Sequence, residues 1–138
     1  MELLALSLSV LWGQWLGPIL LLAFGFGFVI FVHELGHFIT AKWVGIKVER
    51  FAIGFGPRLF GIRRGETDYC LKLLPLGGYV KMLGQEDFNP RDREDAGDPR
   101  SFNNKPIWAR LVVVSAGVAM NVIFAAVLLG ERVRAFRL

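Results

Sequence analysis

Apolar positions fall into two long blocks, residues 16–43 and 107–130, separated by a charged, glycine-rich stretch in which apolar residues alternate rather than run. Each block is long enough to cross a bilayer as a helix, since a span needs about 20 mostly apolar residues. Gly13, Gly17 and Pro18 interrupt the first block, and proline is well tolerated in the first turn of a helix, so the first helix is expected over 18–43. The earlier apolar run, 3–12, then reads as a helical lead-in or an interfacial segment. It has the length of a signal-peptide core, but no Lys or Arg precedes it and Glu2 does, which argues against a cleaved leader.

Between the blocks the period changes. After Trp43 the helical pattern ends at Gly45, and Val48-Glu49-Arg50-Phe51-Ala52-Ile53 shows the near alternation of a strand. Gly54-Phe55-Gly56-Pro57 breaks it. Strand-like runs follow at 69–74 and 79–82 on either side of Pro75-Leu76-Gly77-Gly78, a turn signal. The expectation for 47–84 is a small antiparallel sheet or set of hairpins. Residues 85–105 form a polar loop, because six acids and three arginines within 85–100, with Pro90 and Pro99, leave too little apolar area to bury. The second helix is expected over 106–130, with Asn103 or Asn104 capping and Pro106 early in the first turn. Trp43 and Trp108 then sit at the facing ends of the two helices, as an aromatic belt would place them. The fold class is a mainly α membrane protein, with two transmembrane helices flanking an antiparallel β segment.

Composition strengthens this picture. Hydrophobic residues make up 54% of the 138, more than a soluble domain of this size carries. The net charge of +4 raises the question of nucleic acid, but 13 of the 16 Lys and Arg lie within 42–110 together with nine acids, a mixed surface rather than a polycationic stripe. Nucleic acid is therefore set aside as a partner. No cation precedes the first block and three follow Gly130, so the positive-inside rule puts the loop 44–106 in the cytoplasm and both termini outside. Cys70 is the single cysteine, which excludes an internal disulfide and a thiolate cluster within one chain. A metal here must be held by histidine, carboxylate and water.

Such a metal has candidate ligands. In His33-Glu34-Leu35-Gly36-His37 the two histidines are four residues apart, so on a helix both imidazoles project from one face and can grip one zinc ion. Glu34 stands beside them in position to act as a base toward a water that the metal activates. The motif lies inside an apolar helix, where two histidines and a glutamate are costly unless they have partners or a water-filled cavity. A frayed helix end meeting the headgroups would be the bland alternative. At a rise of about 1.5 Å per residue from Trp43, His37 lies about 9 Å deep and His33 about 15 Å.

The second helix carries one strongly polar side chain, Asn121. Counted from Trp108, Gly117 lies about 13 Å deep and Asn121 about 20 Å, which overlaps the depth of the histidines. Ser115, Ala116, Gly117 and Ala119 are small enough to let two helices approach closely. Asn121 either donates a hydrogen bond to a substrate carbonyl or its oxyanion, or ties the helices together.

These segments, taken in order, resemble the site-2 protease family of intramembrane zinc metalloproteases over about residues 28–126. His33-Glu34-Leu35-Gly36-His37-Phe38 is similar to the family's zinc motif. Arg50-Phe51-Ala52-Ile53-Gly54-Phe55-Gly56 and Pro75-Leu76-Gly77-Gly78-Tyr79-Val80-Lys81-Met82 resemble its membrane-reentrant β region. Phe102-Asn103-Asn104-Lys105 resembles the approach to its second span, and the stretch 117–121 its G-P-x-x-N segment, with Val118 where the family usually has Pro.

The resemblance implies a bacterial inner-membrane, multi-pass endopeptidase that cleaves transmembrane segments within the lipid bilayer. Its substrates would be membrane proteins such as anti-sigma factors or remnant signal peptides, cut after a first cleavage elsewhere. It implies Zn2+ as cofactor, His33 and His37 as ligands and Glu34 as general base. Gly54, Gly56, Gly77, Gly78, Gly117 and Asn121 would contact substrate or its oxyanion. An extended substrate could add to the edge of the β region, or the strands could simply plug the cytoplasmic side. Family members continue into PDZ domains and a later span whose L-D-G stretch supplies a third ligand, an Asp. This chain ends at Leu138 without them, and its basic stretch 131–138 suggests a truncated or frameshifted product. The alternative from another class is a non-catalytic membrane module that binds substrate segments or partner helices.

Overall fold

An α-helix satisfies every backbone polar group within its own segment, which suits an apolar block that has no water to turn to. Both blocks adopt it. The structure, a computed structural model, describes residues 10, 12–85 and 97–137. Helix α1 (Gly17–Trp43) is preceded without a break by one π-helical turn, Trp12–Leu16, and Pro18 lies in its first turn, where a missing N–H costs no hydrogen bond. The other positions of the lead-in 3–12, except residue 10, lie outside the described residues. α1 ends because Gly45 takes φ 72°, a left-handed conformation open to glycine, while the Val44 N–H donates to the Thr40 carbonyl at 2.9 Å.

Helix α2 (Ile107–Ala135) starts on Pro106 without any side-chain cap. The asparagines expected to cap it fasten the preceding loop instead: Asn103 Nδ2 donates to the Gly84 carbonyl at 2.6 Å and Asn104 Nδ2 to the Asp98 carbonyl at 2.8 Å. At its far end α2 runs past residue 130, so that Glu131, Arg132 and Arg134 belong to the helix rather than to a separate tail. The two arginines complement the negative end of the helix dipole. Of the expected polar loop, residues 86–96 lie outside the described residues, as does Leu138.

Strands β1 (Val48–Arg64) and β2 (Thr67–Met82) pair antiparallel and turn at Gly65, whose φ is 64°. Both run through the segments that the sequence marks as breaks, 54–57 and 75–78. There they bend instead of turning: the register shifts repeatedly, and Gly54 and Gly56 take φ of 87° and 88°. A Cβ on Gly54 would meet the Leu74 carbonyl oxygen at 2.5 Å, so the crossing of the two strands requires glycine there. The bend folds β2 around β1. Residues 50–53 face 78–81 on one side, and on the other they face 68–71, with residue numbers that rise together.

The sheet docks on α1 and α2 through one apolar cluster of Ala41, Ile46, Val48, Phe51, Val80, Met82 and Val113. Phe51 is its hinge, with Phe31, Phe38 and Tyr69 rings at 6.0, 5.0 and 6.3 Å. Outside the helices, Glu66 accepts from Lys42 at 3.1 Å and Arg100 at 2.7 Å, which ties the β1–β2 turn to the end of α1 and to the loop before α2.

In the most apolar window of each helix only 11% and 17% of the residues are buried. A core helix of a soluble protein would hide most of that surface. Both helices are long and apolar enough to cross a membrane, and the surface they leave open is what lipid would cover.

Candidate metal centre

The helix periodicity that sets His33 and His37 four residues apart turns both toward α2, their rings meeting edge-on at 4.8 Å. α2 answers with a face of small residues: Ala109, Val113, Ala116 and Gly117 are buried. Contact is closest at Gly36, where a Cβ would meet the Ala116 carbonyl oxygen at 2.5 Å and Met120 Cβ at 2.9 Å. A glycine inside the motif therefore sets the helix separation, and with it the distance from the histidines to α2.

Gly117 stands opposite the histidine pair. A Cβ built on it would lie 2.5 Å from Nε2 of His33 and 2.5 Å from Nε2 of His37. The two ring nitrogens therefore lie no more than about 5 Å apart, both against the bare backbone of residue 117. With zinc–imidazole bonds of about 2.0–2.1 Å, one ion beside that backbone could be shared by the two rings with little movement of either.

The other ring nitrogens are held. His37 Nδ1 is 2.7 Å from the Val113 carbonyl oxygen, which can only accept. Nδ1 therefore carries the proton and Nε2 presents its lone pair, the tautomer a metal requires. His33 Nδ1 is 3.2 Å from the side-chain amide of Asn121.

Glu34 points to the sheet side of this centre. The Val80 backbone amide lies near its carboxylate, and a Cβ on Gly78 would lie 3.6 Å from Glu34 Cγ and 2.7 Å from the Ala52 carbonyl oxygen. Bare backbone at Gly78 lets β2 press against the carboxylate. Glu34 and His37 open into a cavity of about 420 Å³, walled by Tyr79, Val80 and Met82 of β2 and by Phe102, Val113 and Val114.

The structure thus gathers His33, Glu34, His37, Gly78, Gly117 and Asn121 at one place. Three glycines with the same expected role lie elsewhere: Gly54 at the strand crossing, Gly77 beneath the Phe55 ring, and Gly56 in open space. Val113 and Val80 act through backbone atoms and have no signature of their own in the sequence. The row Ala109, Val113, Gly117, Asn121, spaced by four, is the pattern that could have marked Val113.

Two adjacent imidazoles fit a nitrogen-favouring metal such as zinc. Among the described residues no group of three His, Cys, Asp or Glu side chains converges, so the donor set there is two histidines.

Comparison with known proteins agrees with this geometry. Residues 21–132 match the model of peptidase family M50. A protein of Clostridium acetobutylicum named "Putative zinc metalloprotease" is 54% identical over 103 residues, covering 75% of this chain and 28% of that protein. Proteins of the same name from Clostridium perfringens and Synechocystis are 52% and 48% identical, covering 75% and 73% of this chain and 29% and 27% of theirs. The chain therefore spans under a third of the length of the curated relatives it matches.

Proposed function

The chain belongs to peptidase family M50, the site-2 proteases, and on that footing we propose that it carries the histidine half of the catalytic centre of a zinc-dependent intramembrane endopeptidase. The observation that carries this reading is that the Nε2 atoms of His33 and His37 lie side by side against the bare backbone of Gly117.

A zinc ion held there by His33 and His37 would supply Lewis-acid chemistry, acidifying a water and polarising a peptide carbonyl. His33 and His37 would supply two of the three protein ligands that catalytic zinc usually takes. Glu34 takes the proton of the attacking water and returns it to the leaving amine. The Val80 amide orients that carboxylate, and the cavity beside it gives water a route through an otherwise apolar layer.

The substrates are transmembrane segments of membrane proteins, such as anti-sigma factors or remnant signal peptides, at the bacterial inner membrane. The loop 44–106 faces the cytoplasm and the termini lie outside. A helical peptide bond has its carbonyl already hydrogen-bonded and is shielded by side chains, so the substrate must be extended to react. The edge of β2 at 78–82, in contact with Glu34, suits that task by strand addition. The β1–β2 hairpin dips into the membrane, a reading supported by Phe55, Leu59, Phe60, Ile62, Leu73 and Leu74, all exposed. Gly54, Gly56 and Gly77 act on substrate indirectly, by shaping that hairpin.

A two-histidine donor set also suits a non-catalytic membrane module that binds substrate or partner helices. The test is cleavage of a transmembrane reporter by the membrane-embedded protein. Glu34→Gln should abolish cleavage and leave bound zinc unchanged; cleavage that survives this substitution would remove Glu34 from its role, and wild-type protein that neither cleaves nor binds zinc would favour the module.

A further inference from the structure

Asn121 has one polar atom that nothing satisfies. Its Nδ2 is 3.2 Å from His33 Nδ1, while its Oδ1 is buried without a hydrogen-bond partner. A buried carbonyl left unpaired is costly. In this orientation the amide would also donate to His33 Nδ1. That would force the proton onto Nε2, the atom that lies beside His37 Nε2 against the Gly117 backbone.

The two ends of a side-chain amide are nearly isosteric, so a half-turn exchanges them. That turn brings Oδ1 to His33 Nδ1 and leaves the Nε2 lone pair free, while the NH2 group takes the place Oδ1 held. His33 then matches His37, whose Nδ1–H donates to the Val113 carbonyl at 2.7 Å. Two acceptors two turns apart on the inner face of α2, a backbone carbonyl at 113 and a side-chain carbonyl at 121, would hold two ligands of α1 in the same tautomer.

We propose that Asn121 is a positioning residue for the metal ligand His33: its side-chain carbonyl accepts the Nδ1–H of His33 and fixes Nε2 as the metal-binding atom. This deepens the metal-centre reading above and rests on it, but it makes a claim about the metal-free protein as well. In this role Asn121 acts through His33 and not on the reacting atoms. A leucine in its place would fill the space and leave His33 Nδ1 without an acceptor. An aspartate would keep the acceptor.

The experiment uses the full chain in detergent with 15N-labelled histidine, at a pH where both imidazoles are neutral. The chain holds two histidines, so long-range 15N–1H spectra show two rings without further assignment. In metal-free wild type both rings should show the pattern of protonated Nδ1 and bare Nε2. In Asn121→Leu one ring should move toward the Nε2–H form while the other stays, and in Asn121→Asp both should keep the wild-type pattern. Zinc affinity, read by competition with a chromophoric chelator, should fall about 10–100-fold in Asn121→Leu, as loss of an outer hydrogen bond to a ligating histidine typically gives, and be retained in Asn121→Asp. A wild-type ring already in the Nε2–H form, or two rings unmoved by Asn121→Leu, would overturn the proposal. The wild-type spectrum decides even where a variant does not fold. Absence of zinc binding by wild type with both rings Nδ1-protonated would count against the metal-centre reading and leave the Asn121–His33 pairing standing.

Discussion

Gly117→Ala is the smallest change that bears on the centre, since it adds one methyl group and no charge. The added carbon would stand 2.5 Å from each Nε2 and 2.6 Å from His33 Cε1, whereas ordinary contact begins at 3.4 Å. Each ring would have to retreat by about 0.9 Å, yet the Nδ1 atoms are anchored, His37 to the Val113 carbonyl at 2.7 Å and His33 to the Asn121 amide at 3.2 Å. Backing α2 away would open the close packing that Gly36 makes with Ala116 and Met120. Overpacking of this kind costs about 1–3 kcal/mol in a well-packed interior. The effect on a metal is larger, because a methyl between both Nε2 atoms and the α2 backbone displaces both ligands at once. Zinc affinity should fall at least about 100-fold, equivalent to about 2.7 kcal/mol at 1.36 kcal/mol per tenfold. Chelator competition in detergent measures it, and circular dichroism confirms that helix content is kept. Zinc bound within threefold of wild type, in a protein of unchanged helicity, would show that the histidines do not share a metal at this point.

Three further outcomes follow from the packing. Gly36→Val should lower the thermal midpoint in detergent by separating the helices at Ala116 and Met120, at a cost of about 1–3 kcal/mol; an unchanged midpoint would mean that the helices do not meet there. Glu66 sits outside the helices, and its hydrogen bond from Lys42, with the charges of Lys42 and Arg100, holds its carboxyl below the ordinary value of 4.5. A depressed folded pKa gives stability that is present above the ordinary value and lost as pH falls through the folded one. For so exposed a group this is under about 1 kcal/mol, and it should vanish from the acid unfolding profile of Glu66→Gln. Single cysteines at Leu59 or Phe60, made in a Cys70→Ala background, should be shielded from a water-soluble thiol reagent in liposomes but not in urea; equal labelling in both would place the hairpin in water.

The pairing of His33 with His37 on the face toward α2 was legible because it is carried by side chains at a fixed helical spacing. The match of Gly117 and Asn121 to the histidines was legible for a similar reason, since two helices that start at the same interface keep a common ruler. The β region was legible in place but not in path. Gly54-Phe55-Gly56-Pro57 and Pro75-Leu76-Gly77-Gly78 read as turns because Gly and Pro punctuate both turns and bent strands, and only the pairing partner decides between them. Leu74 supplies that partner at Gly54 and Phe55 at Gly77, each some 20 residues away in sequence. The capping role expected of Asn103 and Asn104 failed for a related reason: Gly84 and Asp98, brought close by the sheet and loop, offered carbonyls to the same amides. Val113 and Val80 were hidden because they act through backbone atoms, and a backbone atom's partner depends on how elements dock rather than on which residue carries it.

That difference between side-chain and backbone contributions explains why three glycines bound the centre. A metal site inside an apolar layer needs its ligands held by neighbours that bring no bulk of their own, because every extra methyl there competes with the metal or with water. Gly36 sets how near α2 comes, Gly117 leaves both Nε2 atoms room against the α2 backbone, and Gly78 brings the β2 backbone to Glu34. Each fixes a different wall of the same small volume, and each does so with main-chain atoms, whose positions are stiffer than those of any side chain. Separate substitutions at the three positions should therefore fail in different ways: at Gly36 through helix packing, at Gly117 through metal affinity, and at Gly78 through placement of the Glu34 carboxylate, with metal retained. Gly78→Ala is the sharpest of these, because its methyl would press on the Ala52 carbonyl at 2.7 Å while only grazing Glu34 at 3.6 Å. It should shift the β2 edge and slow proton transfer without releasing zinc. If instead it released zinc as Gly117→Ala does, the sheet and the metal centre would have to be one packing unit rather than two that meet at Glu34.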